Sequence, residues 1–177
     1  MQYVVVPIKI LERGLSSDLE VAGSISDIFE VVKSSVQSSL GLHRGGLMLG
    51  IADLGGGAGG HVGAYYPVAS NIIVVNKRPL ESLTKNEPSL YKPYVFHILL
   101  HEYLHSLDVL DEMQTRRVAF EVSRKSFGDS HVATKLAANI GDFLANITYA
   151  HEGWQPQGDA SIEIVMGFDK ETRGYIS

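Results

Sequence analysis

Two rhythms of apolar and polar positions run along this chain, and the extended one marks its strands. Residues 3–10 are rich in β-branched side chains and predict a strand. Leu47–Ala52 and Asn71–Asn76 predict two more, the second being the best of them, and 162–166 a final strand or extended tail. His61-Val-Gly-Ala-Tyr-Tyr-Pro67 also reads as strand. Elsewhere the spacing is helical. Ser17-Asp-Leu-Glu20 has the form of a capping box, and Val21, Ala22, Ile25, Ile28, Phe29, Val32, Val36 and Leu40 then recur at helical intervals until Gly41 stops the helix. Asp111-Glu-Met-Gln114 is a second box, with Asp111 as N-cap of a helix that runs to Gly128. A third helix is expected from about Ser130 to Ala150, and Pro79, Pro88 and Pro93 punctuate a loop before the central helix, with Pro93 in its first turn. Strands interspersed with helices predict an α+β fold, a small mixed sheet packed on a long N-terminal helix and on the central helix, followed by two further helices.

The central helix is the run from Tyr94 to Leu110. With His101 set at zero and 100° per residue, His105 falls at about 40°, while Val95, Phe96, Ile98, Leu99, Leu100, Tyr103, Leu104 and Leu107 fill nearly all the remaining circumference. A helix apolar all round is buried, so its His101-Glu102-Tyr103-Leu104-His105 segment either opens onto a cleft or is paired, since unpaired polar groups are costly inside. Histidines four apart stand one turn above each other and can both reach one Zn²⁺ at roughly 2.0–2.1 Å. Glu102 lies beside that face, where it can take a proton from an activated water instead of coordinating. His97 extends the stripe by a turn and is expected to play a supporting or structural part.

Composition narrows the setting. The chain has 177 residues, a net charge of −5 and no cysteine, which suits one domain over 1–177 and removes disulfides and thiolate ligands, leaving imidazole and carboxylate. Basic residues are scattered, which predicts no nucleic-acid partner. No apolar run approaches membrane-spanning length and the N-terminus carries no basic leader, so no membrane partner and a cytoplasmic location are expected. Gly55-x-Gly57-x-x-Gly60 has the letters of a dinucleotide-binding turn, but strand-like residues follow where a helix would be needed, and no Lys-Ser or Lys-Thr completes a phosphate loop. It reads instead as a hairpin turn over a cleft.

A catalytic zinc takes three protein ligands and keeps one position open. Four carboxylates compete for the third place. Asp108 lies about one turn beyond His105 and suits a supporting distance. Asp111 is reached if the chain turns sharply near 108, a turn that favours Gly but that Asp can also adopt. If Asp111 is spent as a cap, Glu112 is the free and longer carboxylate. Glu121 requires the middle of the next helix to cross the metal. Glu112 is the favoured choice.

With this motif and element order, residues 1–127 resemble the zincin metallopeptidases, most closely the small gluzincins, whose third ligand is a Glu on the helix after the motif. The spacing from His105 to Glu112 is shorter than is usual in that group. The metzincins are the second choice, reading His101-Glu102-x-x-His105-x-x-Asp108-x-x-Asp111, with Met166 for the Met-turn. The resemblance implies a zincin-like fold and a zinc-dependent peptidase acting on a peptide or protein, with His101, His105 and Glu112 on Zn²⁺ and Glu102 as general base. It further implies a transition-state stabiliser, for which Tyr149, His151 and His61 compete, and an edge strand around 71–76 for the substrate backbone. The alternative is an inactive metal-binding or regulatory module on the same scaffold.

Overall fold

The structure is a computed structural model that describes residues 8–56, 60–151, 153–158 and 160–171. Its first two elements are helices α1 (Ile8–Val21) and α2 (Ile25–Leu40). The expected strand at 3–10 lies outside the described residues as far as residue 7, and residues 8–10 are helical. The single long helix is divided: Ser17–Glu20 lies inside α1, and the working cap is Ser24, whose side chain accepts from Asp27 N at 3.1 Å while Gly23 N donates to Asp27 Oδ2 at 3.0 Å. That reciprocal pair satisfies the free donors of a new helix start, so the chain breaks there. Gly41 ends α2 as expected, in the left-handed region at φ 68°.

Next come β1 (Met48–Ala52), β2 (His61–Val62), β3 (Ala64–Tyr65) and β4 (Ile72–Asn76). Asn76 then caps α3 (Lys77–Asn86), where a proline-punctuated loop was expected. Pro88, not Pro93, occupies the first turn of α4 (Pro88–Ser106), because its missing N–H costs nothing at a helix start; Pro93 is carried inside the helix. The helices α5 (Glu112–Phe127) and α6 (Val132–Ala138) follow, then β5 (Ile147–Thr148) and β6 (Glu163–Val165). The expected helix over 130–150 stops at Ala138, where Asn139 accepts from Gly141 N at 3.1 Å and starts a 3₁₀ turn; Ile147 and Thr148 pair with His61 and Val62 instead.

The fold is α+β, with a four-stranded mixed sheet in the order β3-β4-β1-β6 and a two-stranded β2-β5 ribbon. The pair β1-β4 is parallel, while β3-β4 and β1-β6 are antiparallel. Strand β4 is therefore internal, and the edge expected at 71–76 belongs to β3, with β6 at the other side. The core is continuous from α2 through α4 to the inner face of the sheet, joining Phe29, Val32, Leu49, Ile73, Leu99 and Leu104. Every residue of α4 from Tyr94 to Ser106 is buried, as an all-round apolar helix requires. Full burial of each large apolar side chain contributes about 1.5–3 kcal/mol, so this helix is a principal source of stability as well as the carrier of the motif. Among the described residues, no helix is long and apolar enough to cross a membrane.

Candidate metal centre

Helix α4 ends in a turn that decides which carboxylate meets the histidines. Val109 N donates to Leu104 O and Asp108 N to His105 O, both at 3.1 Å, with Asp108 left-handed at φ 68°. This six-to-one and five-to-two pair is a Schellman motif with Asp where Gly is usual. It folds the chain back sharply, and Asp111 then caps α5 by accepting from Gln114 N at 2.7 Å. Glu112, the next residue, is delivered to the motif.

Glu112 Oε1 lies 2.8 Å from His105 Nε2, and Glu112 Oε2 lies 3.2 Å from His101 Nε2. The two imidazole rings stand 4.8 Å apart at 86°. Among the described residues, these three side chains form the group able to share one ion, with ligand atoms all within 4.8 Å of one another. The competing carboxylates are outside the group: Asp111 is an exposed cap, Glu121 pairs with Arg124 at 2.7 Å, and Asp108 is the left-handed turn residue.

Whether the three residues suit a metal can be judged from their polar atoms. His101 Nδ1 is buried with no hydrogen-bond partner among the described residues, and the buried His101 Nε2 and Glu112 Oε2 face each other at 3.2 Å without hydrogen-bond geometry. Buried polar atoms are rarely left so, and two imidazoles with one carboxylate are the donor set of a three-ligand zinc site. The residues fit the ion. His105 is also oriented from behind: its Nδ1 lies 2.8 Å from Val109 O, and because a carbonyl only accepts, Nδ1 carries the proton and Nε2 faces Glu112. Thr115 Oγ1 donates to the same carbonyl at 3.0 Å, tying the turn to α5.

Glu102 is 3% exposed and lines a cleft of about 390 Å³ together with His105 and Glu112. Burial pushes its carboxyl up to about 8; the nearby His105 and the Tyr66 N–H draw it down, while Glu112 adds to the rise. Glu112 moves oppositely: burial would lift it, but the two imidazoles hold it at about 2. Burial lowers His101, whereas at His105 the pull of Glu112 and Glu102 outweighs burial and leaves it raised. Two carboxylates ten residues apart in sequence are thus driven to opposite protonation preferences.

Apart from His151, the cleft walls were not singled out from the sequence. Tyr65, Tyr66, Pro67 and Val68, continuing the β3 edge, line the cleft together with Ala150, His151, Trp154 and Pro156. The rings of Tyr65 and Trp154 meet edge-on at 5.1 Å. The chain's one tryptophan in a glycine-flanked turn was the available signal. Of the three residues considered as stabilisers, His151 lines the cleft. His61 Nδ1 lies 3.0 Å from Gly55 O, away from that lining, and the Tyr149 hydroxyl lies 2.7 Å from His97 Nε2.

No family model matches the chain, and no solved structure matches it. Among curated proteins it is similar to the cell division protein DivIB of Bacillus selenitireducens, with 30% identity over 92 residues, covering 49% of this chain and 35% of that protein. The chain therefore spans about a third of the length of that relative.

Proposed function

We propose that this protein is a zinc-dependent peptidase of the zincin type that hydrolyses a peptide or protein substrate. The observation that carries this reading is the meeting of His101, His105 and Glu112, whose ligand atoms all lie within 4.8 Å of one another, with buried Glu102 beside them in an open cleft. A Zn²⁺ held there would polarise a scissile carbonyl and acidify water. The chain's own residues do the rest. Glu102, in its ionised form, accepts the proton of the attacking water and passes it to the leaving amine, and its burial strengthens its hold on that proton. His151 stands on the cleft wall as donor to the developing oxyanion, and the β3 edge with Tyr66–Val68 offers backbone groups to an extended substrate.

The test is a pair of variants. His101→Ala should lose stoichiometric zinc, and Glu102→Gln should retain zinc while peptide hydrolysis falls by about 10²–10⁴-fold. Zinc binding with no Glu102-dependent hydrolysis of a peptide library would favour the second reading, a metal-binding module without catalysis. That reading draws on the partial likeness to a cell division protein.

A further inference from the structure

The two histidines of the proposed metal centre are oriented in different ways. His105 has the Val109 carbonyl behind it, whereas His101 Nδ1 has no hydrogen-bond partner among the described residues. Histidines that ligate metals nearly always donate their second ring N–H, which fixes the plane of the imidazole. Something else must fix His101. Its ring lies face to face with Tyr149, with centroids 4.4 Å apart and planes 23° from parallel. The guanidinium of Arg116 also sits over the Tyr149 ring, at 4.3 Å, and Arg116 Nε is 4.0 Å from Glu112 Oε2. The Tyr149 hydroxyl is anchored 2.7 Å from Nε2 of His97, which is wholly buried one turn before His101. Tyr149 is itself delivered by the β2-β5 ribbon, so the stack joins that ribbon to His97 and His101 in the second half of α4 and to Arg116 in the second turn of α5.

We propose that Tyr149 is the positioning residue for His101, setting the plane of that ligand by ring stacking, with its hydroxyl anchored on His97 and its ring clamped by Arg116. This rests on the metal centre proposed above. A face-to-face aromatic contact restrains tilt of the imidazole, although it leaves Nδ1 unbonded, and the Arg116 cation adds attraction to the Tyr149 ring while touching a second ligand. One stack thereby holds His101 and Glu112 in register. It also accounts for why Tyr149, the residue directly after β5, has its hydroxyl turned to His97 instead of to the cleft.

The experiment measures zinc affinity of the full chain by competition with a chromophoric chelator, together with the visible absorption of the Co²⁺-substituted protein. Tyr149→Leu should weaken zinc about 10–100-fold, the range expected when a ligand's supporting group is lost, and should alter the Co²⁺ bands. Tyr149→Phe keeps the ring and should stay within about threefold of wild type. Arg116→Gln, at a half-exposed side chain, should weaken zinc by about two- to fivefold. A Tyr149→Leu protein with native circular dichroism and unchanged zinc affinity overturns the proposal, as does a Phe variant as impaired as Leu. If Tyr149→Leu does not fold, unchanged affinity in Arg116→Gln overturns it instead. A wild-type protein that binds no zinc, or binds it equally with His101→Ala, refutes the metal centre itself and is thereby distinguished from failure of the stack alone.

Discussion

Glu102 and Glu112 show how much a carboxyl's surroundings matter. Glu102 is buried and binds its proton up to a pH of about 8, against an ordinary value of 4.5. The folded chain thus holds a proton that the unfolded chain has released, and stability falls as pH rises from about 4.5 to about 8. Glu112 has the opposite sign. Its folded value of about 2 means that its stabilising contacts are present above about 4.5 and are lost as pH falls toward 2. In chelator-treated protein, Glu102→Gln removes the first effect alone. The variant should melt above wild type at pH 9, with the gap closing by pH 4.5. Melting curves that stay parallel across that window would show that Glu102 titrates as an ordinary carboxyl.

Helix termini carry the geometry at the next scale. The Schellman turn after α4 places a non-glycine residue, Asp108, at φ 68°, a conformation that costs an L-residue free energy and costs glycine almost none. Asp108→Gly should therefore raise stability, by about 0.5–1 kcal/mol in chemical denaturation, and leave zinc affinity unchanged, because the turn already has this shape. Asp111→Ala acts differently. It removes the acceptor for Gln114 N and should cost about 1 kcal/mol, and it should also weaken zinc because Glu112 is the first residue that the cap holds in place. Calorimetric zinc titration of the two variants separates a cap that positions a ligand from a cap that only ends a helix.

The molecule as a whole is closed by its C-terminal segment. Strand β6 pairs with β1, Phe168 stacks on Phe29 at 4.2 Å, and Lys33, buried on α2, bonds to Asp169 at 2.8 Å and Glu30 at 2.9 Å. Burial pulls the Lys33 ammonium down, yet Asp169 and Glu30 outweigh it and leave it raised. Removing one partner of a buried pair strands the other charge, at a cost of about 3–5 kcal/mol. Asp169→Ala should fall at the low end, about 3 kcal/mol in urea unfolding, since Glu30 still faces the ammonium. A loss below about 1 kcal/mol would mean that the segment is held by its other contacts and that the Lys33–Asp169 pair adds little.

Local patterns already determined a good part of this protein. The apolar circumference of the run from Tyr94 announced a buried helix, the four-residue interval placed His101 and His105 on one side of it, and Gly41, Gly128 and the Asp111 box marked real helix ends. Each of these depends on neighbours within a few residues, which a single sequence displays. The break at Gly23 was also local, written as Ser24-x-x-Asp27, but the rival box at Ser17 obscured it. Tertiary structure decided the remainder. Glu112 meets the histidines because Asp108 is left-handed and Asp111 is occupied as a cap. The edge next to β4 is β3 because β4 pairs on both sides, and residues 147–148 leave the helical pattern because β2 offers them hydrogen bonds. Those outcomes follow from pairings between segments distant along the chain, whose energies no window of neighbouring residues contains.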